Sequence, residues 1–201
     1  ILVQISVHNR GPEAADLHVL PTLWFRNTWS WGENNPRPSL KAVRGKANAV
    51  KASEEALGDR YLYCDGDAAL LFTENETNAR RLFGVPNATP YVKDGIHARV
   101  VRGELDAVNP AQRGTKVAAQ YTLDIPAGGH QSLRLRLSPH APDTLGNVYA
   151  VRDGAFGRHF DAVFQKRRDE ADAFYATLIP APVRATMRRA TFSPRPRLPG
   201  R

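Results

Sequence analysis

The sequence has few of the residues that characterise disulfide-rich or membrane proteins. It contains one cysteine among 201 residues, which excludes a disulfide framework. No stretch approaches the ~18 to 20 consecutive apolar residues of a membrane-spanning helix, and no basic-then-apolar leader opens the chain. We therefore expect a cytoplasmic protein without a membrane span. A content of 42% hydrophobic and 24% charged residues is typical of a globular domain and argues against general disorder.

Acidic residues are absent from the last part of the chain. The sequence has 28 Lys and Arg against 20 Asp and Glu, a net charge of +8, but six of the arginines and no acid lie within positions 180–201. This segment also holds five of the 15 prolines, too many for a regular element. A nucleic-acid interface is expected on a folded basic face. Nucleic-acid binding through the tail is therefore the less favoured alternative.

The motifs of several common active sites are also missing. The six histidines are scattered, and neither a CxxC nor an HExxH pattern occurs, so the sequence predicts no metal site. No glycine-rich phosphate loop is present, and we expect no cofactor. Cys64 lacks the surroundings of a nucleophile and is expected to be a small buried residue.

Alternating apolar and polar residues predict an antiparallel β-sandwich over residues 1–150. Residues 1–7 alternate at strand period, and a Gly-Pro turn precedes a second run at 17–25, which predicts a hairpin. Residues 117–123 and 133–137 form the clearest alternating pair, with a Pro-Ala-Gly-Gly turn between them. Shorter strands are expected at 61–63 and 68–72.

Apolar residues recur at helical spacing in the last quarter of the chain. Residues 159–178 place phenylalanines on one face and charged side chains on the other, which predicts an amphipathic helix. We assign 151–180 to this linker helix. Residues 181–201 then read as the start of a truncated helical domain followed by an irregular basic tail.

All three tryptophans lie between positions 24 and 31. Flat aromatic faces beside amide and hydroxyl groups suit a sugar ring, which stacks on the aromatic face and is hydrogen-bonded through its hydroxyls. Trp29 and Trp31, close to Asn27, are the pair expected to be exposed. The alternative is that the tryptophans pack in a core or a domain interface.

Carboxylates, amides and an ammonium group concentrate at 72–78 and 90–96. The candidates for a substrate- or interface-facing role here are Glu74, Asn75, Glu76, Asn78, Lys93 and Asp94. Two carboxylates can act as acid and base across a glycosidic bond. Glu74 and Glu76, two apart on an extended chain, would share one face, too close to flank a sugar but able to hydrogen-bond it. The alternative is that these side chains satisfy backbone groups of long loops.

Five blocks, at residues 9–15, 20–31, 72–78, 90–96 and 109–116, resemble in order bacterial proteins of the glycoside hydrolase family 63 type. These proteins are usually called glucosidases and are related to the mannosylglycerate hydrolases. The resemblance covers roughly residues 1–190. It implies an N-terminal β-supersandwich, a linker helix, and an (α/α)6 barrel that carries the acid and base carboxylates for inverting hydrolysis of an α-glycosidic bond.

The resemblance extends to the sandwich and linker only. Where the family continues into the barrel, this sequence has residues 191–201, and the family's first strands are absent as well. No catalytic residue is therefore assigned. The expected function is a non-catalytic sandwich that braces the missing barrel, with the candidate residues lining or bracing its mouth. A free-standing carbohydrate-binding module and a nonfunctional fragment remain alternatives.

Overall fold

The computed structural model describes residues 1–32, 35–43, 48–148, 154–179 and Val183. The chain forms two compact units, Ile1–Arg158 and His159–Arg201. The described residues form ten strands and four α-helices, mainly as antiparallel β-sheet with a helix near the C-terminus. This confirms the predicted fold class. The tail and the second helix expected at 181–201 lie outside the described residues, apart from Val183.

The strands all belong to the first unit. They are β1 Leu2–His8, β2 Ala15–Val19, β3 Thr22–Trp24, β4 Ser39–Ala42, β5 Ala49–Glu54, β6 Gly58–Cys64, β7 Ala69–Thr73, β8 Arg113–Gly114, β9 Lys116–Ile125 and β10 His130–Ser138. The helices are α1 Ala79–Phe83, α2 Gly95–Arg102, α3 Pro142–Val148 and α4 Arg158–Leu178. The strands expected at 61–63 and 68–72 are thus present as β6 and β7.

Two antiparallel sheets make up the sandwich. The larger has the order β1-β10-β6-β5-β4-β8, and the smaller is centred on β9. β2 and β3 pair in succession with one side of β9, interrupted at Leu20 and Pro21, while β7 pairs with its other side. Proline lacks a backbone donor and is tolerated at such an edge position.

Alternation along β9 and β10 places apolar side chains between the sheets. Tyr121, Leu123 and Ile125 of β9 pack in one cluster with Leu133 and Leu135 of β10. A second cluster joins β4 and β5 of the larger sheet to β7 and β9 of the smaller one. Burial of these inward faces against each other is what stabilises a two-layer β architecture.

The hairpin expected within residues 1–25 is wrong, and so is the expected pairing of 117–123 with 133–137. β1 pairs with β10, and β2 pairs with β9, so the first two strands lie in different sheets. β9 and β10 also lie in different sheets, and their apolar faces meet across the core instead of forming one ladder. The turn at 126–129 therefore carries the chain from one layer to the other.

The C-terminal helix predicted at 159–178 is confirmed as α4. Phe160 and Phe164 stack with ring centroids 5.9 Å apart, one helical turn from each other. Phe174, Tyr175 and Leu178 are exposed. No helix within the described ranges has the length and apolar character needed to cross a bilayer.

The chain changes sheets again at residues 113–116. Gly114 pairs with Leu40 in the larger sheet, and Lys116 pairs with Thr73 in the smaller one. The Thr115 amide donates to the Thr73 carbonyl at 3.1 Å. The two strands approach so closely that a Cβ on Gly114 would lie 2.8 Å from the Thr73 carbonyl carbon, with the Thr73 oxygen closer still. Glycine is required here by space.

Candidate functional site

The candidate site lies just beyond the end of β7, where residues 74–76 run beside residues 91–93. The Glu74 amide donates to the Tyr91 carbonyl at 2.8 Å, and the Lys93 amide donates to the Glu76 carbonyl at 3.0 Å. The Lys93 ammonium reaches the Thr77 hydroxyl at 3.1 Å. The fold thus brings together the two polar stretches that the sequence singled out.

One guanidinium bridges the two glutamates. Arg37 Nη2 lies 2.8 Å from Glu74 Oε2 and 2.8 Å from Glu76 Oε1. The two carboxylates are mostly buried, with side-chain exposures of 18% and 16%, whereas the Arg37 side chain is 43% exposed. The shared cation explains how two like charges sit side by side in a partly desolvated place.

Trp29 belongs to this arrangement. Its indole Nε1 donates to Glu76 Oε1 at 3.3 Å, and the Arg37 guanidinium lies 5.5 Å from the centre of its ring. Within about 6 Å of a tryptophan face, a cation is attracted by the ring. Trp29 is partly buried, so the expectation that it is one of the exposed pair is wrong.

Thr115 connects the glutamates to the sheet crossing. Its hydroxyl donates to Glu74 Oε2 at 2.7 Å and accepts from the Asn75 amide at 2.8 Å. The Asn75 side chain donates to the Phe25 carbonyl at 2.9 Å. Glu74 and Asn75 are therefore held by backbone and side-chain partners, as in the alternative reading of a braced loop.

Asn78 and Asp94 form a separate cluster at the start of α1. Asn78 Oδ1 accepts from the Arg81 amide at 3.1 Å and so caps the helix, while its Nδ2 donates to both Asp94 oxygens at 3.1 Å. Arg81 forms an ion pair with Asp94 at 3.3 Å. An N-cap asparagine satisfies a free helical N–H group, which is a structural role.

Two tryptophans, Trp24 and Trp31, are exposed. Trp31 is 65% exposed and carries the Arg26 guanidinium 4.9 Å from its ring centre, and Trp24 on β3 is 53% exposed. Asn27 accepts from the Ser30 amide at 3.3 Å and orders the turn before Trp31. The expected exposure of Trp31 is confirmed, and Trp24 replaces Trp29 as the second open ring.

Sequence reasoning missed Arg37 and Thr115. The sequence feature that could have identified Arg37 is its position between Pro36 and Pro38. The two prolines restrict the local backbone and so limit where the Arg37 side chain can lie. Thr115 has no signal of its own, because a threonine between a two-residue strand and a long strand is unremarkable until the sheet crossing is known.

The arrangement positions charge but leaves no free acid and base. The nearest oxygens of Glu74 and Glu76 share one nitrogen, whereas an inverting glycosidase separates its two carboxyl groups by about 6.5–9.5 Å to admit a water. Among residues the structure describes, no group of three or more His, Cys, Asp or Glu could hold a metal ion. The cluster therefore suits a structural or contact role.

Cys64 lies in the core, as expected. It is 5% exposed and belongs to the cluster that contains Tyr121. Burial raises the pKa of the Cys64 thiol to about 12. Burial, together with the neighbouring Cys64 and Asp65, also raises the pKa of the Tyr121 phenol. A thiol with this pKa stays protonated near neutral pH and is a poor nucleophile.

Comparison with known proteins shows a similarity to a yeast protein. No family model matches the chain, and no solved structure matches it. The chain is similar to "Uncharacterized protein YMR196W" of Saccharomyces cerevisiae, with 29% identity over 213 residues. The match covers 92% of this chain but 19% of the yeast protein. The chain thus spans about a fifth of the length of this relative.

Proposed function

We propose that the chain is a non-catalytic sandwich portion of an α-glycosidase of the cytoplasm, and that it braces an (α/α)6 catalytic barrel. The observation that carries the proposal is the Arg37 bridge. Both carboxylates that could serve hydrolysis are bound by one guanidinium and by Thr115 or Trp29. They are built to hold loops in place, which is what a bracing surface requires.

Uncovered apolar side chains support a packing role. Leu82 and Phe83 on α1 are 61% and 70% exposed, and Phe174 and Leu178 on α4 are also open. Contiguous apolar patches on a protein surface mark contact sites, and Leu82 and Phe83 are neighbours on one short helix. The yeast relative is about five times longer than its matched part, which leaves ample chain for a further domain.

The first test is enzymatic. The purified 201-residue chain should not hydrolyse an aryl α-glucoside above the blank. Adding a separately produced (α/α)6 barrel should give activity that depends on both pieces. Hydrolysis by the chain alone, abolished by Glu74→Gln or Glu76→Gln but kept in Asp59→Asn, would show that the sandwich itself is catalytic.

Carbohydrate binding by the isolated sandwich is the second candidate, favoured by the open ring of Trp31. The Arg26 guanidinium lies against that ring, and the remaining surface can stack on a sugar. Calorimetry with maltose should then show affinity that Trp31→Ala removes and that Trp29→Phe retains. Absence of heat in the unmodified chain would eliminate this candidate. Nucleic-acid binding was expected only through the tail, which lies outside the described residues.

A further inference from the structure

Three cations lie side by side on the outer face of the larger sheet. Lys41 of β4 is the register partner of Lys51 on β5 and of Arg113 on β8. Residues directly opposite in neighbouring antiparallel strands project on the same face, and like charges there repel. Their neighbours along the strands, Leu40 and Val50, point into the core, so the cations must point outward.

Among the described residues, one of these three cations has a compensating acid. Lys51 Nζ pairs with Asp59 Oδ2 at 2.7 Å, and this hydrogen bond raises the pKa of Lys51. In the part of the chain that the structure describes, no ion pair or hydrogen bond satisfies the Lys41 ammonium or the Arg113 guanidinium. Two adjacent cations therefore have no anionic partner among the residues that the structure describes.

A cavity opens beside these two cations. It has a volume of about 410 Å³, and Arg37, Lys41, Arg113, Glu74 and Tyr91 contribute to its wall. Small-molecule sites typically measure about 300–1,000 Å³. Glu74 is already bound by Arg37 and Thr115, so the wall has an excess of positive charge.

The backbone that presents Arg113 is held in place. The Asn109 side chain donates to the Arg113 carbonyl at 2.8 Å and accepts from the Ala111 amide at 3.0 Å. Gln112 adopts a left-handed φ of 50°, and its carbonyl accepts from the Ala42 amide at 3.0 Å. A preformed turn lowers the ordering cost of ligand binding.

We propose that this cavity binds a small anion, a phosphate or carboxylate group of a small polar molecule, between Lys41 and Arg113. The planar guanidinium can donate two parallel hydrogen bonds to such a group, and the ammonium adds a point charge. A bound anion also relieves the repulsion between the two cations. The concave shape favours a small molecule over an acidic protein surface.

The test is calorimetric titration of the 201-residue chain with inorganic phosphate at low salt. We expect saturable binding with one site, weakened about ten-fold or more by Lys41→Gln and by Arg113→Gln. Arg10→Gln is the matched control, because it removes one exposed positive charge in the turn after β1 and should leave affinity within about two-fold. Circular dichroism melts verify that each variant is folded.

A parallel titration with acetate distinguishes the two anion sources. Stronger binding of phosphate indicates a phosphoryl ligand and comparable binding of acetate indicates a carboxylate; both support the site. No saturation by either anion at millimolar concentrations would overturn the proposal. Equal weakening by Arg10→Gln, or saturable binding of a hexaglutamate peptide without binding of either small anion, would overturn it too. None of these readouts depends on a barrel or on hydrolysis.

Discussion

Replacing Gly114 with alanine tests whether the sheet crossing is as tight as its geometry indicates. The new Cβ would lie 2.8 Å from the Thr73 carbonyl carbon and closer still to its oxygen. Both are backbone atoms of a paired strand, so no side-chain rotation relieves the clash. The strands must separate, which also stretches the 3.1 Å hydrogen bond from the Thr115 amide to Thr73.

The expected cost is about 3 kcal/mol, the upper end for overpacking, because the obstacle is the backbone of Thr73 and not a movable side chain. For a chain of this size that loss lowers the melting temperature by about 6–12 °C. Gly32→Ala is the matched control, since a Cβ there meets nothing within 4 Å. It should change stability by less than about 0.5 kcal/mol. Thermal melts of equal midpoint for the two variants would refute the close approach.

Three further predictions concern the site and the core. Arg37→Gln leaves Glu74 and Glu76 side by side without their cation. Urea unfolding at low salt should therefore show a free energy of unfolding lower by about 1 kcal/mol, and this difference should shrink as salt is added. A difference independent of salt would contradict the ionic role of Arg37. Thr115→Val should lower the free energy of unfolding by about 2 kcal/mol in the same assay, because the Glu74 carboxylate and a backbone amide lose their partner. Thr115→Ser keeps the hydroxyl and should retain most of that stability. Equal losses of stability in the two variants would argue against the hydrogen bonds. Burial raises the pKa of Cys64 from its ordinary 9.0 to about 12, so the unfolded state loses this proton first as pH rises, and the free energy of unfolding should fall above about pH 9. The Cys64→Ala variant should show a smaller decline. Rapid reaction of the native thiol with a disulfide reagent at pH 8 would contradict burial.

The fold class could be predicted from the sequence because side-chain alternation reports which face of a strand is buried. In β9, Tyr121, Leu123 and Ile125 are buried, while Thr122 and Asp124 between them are exposed. Alternation does not say which strand lies alongside. The turn at 126–129 includes Gly128 with a φ of 69° and resembles a hairpin connection, yet it joins two layers of the sandwich.

Parts of the candidate site could not be predicted for a similar reason. The sequence indicated Glu74 and Glu76 because polar residues are dense around them. Both contact the same guanidinium, so they do lie on one face. That partner, Arg37, is distant in sequence, and only the pairing of β4 with β8 places it near them. β4 itself has a short and mixed pattern around Leu40, too weak to mark a strand before its neighbours are known.

The passage at residues 113–116 serves both layers within four consecutive positions. An inserted or deleted residue there would displace the register of the two sheets at the same time. Insertions and deletions should consequently be rare in this segment and more frequent in loops that connect two strands of the same sheet, such as 55–57.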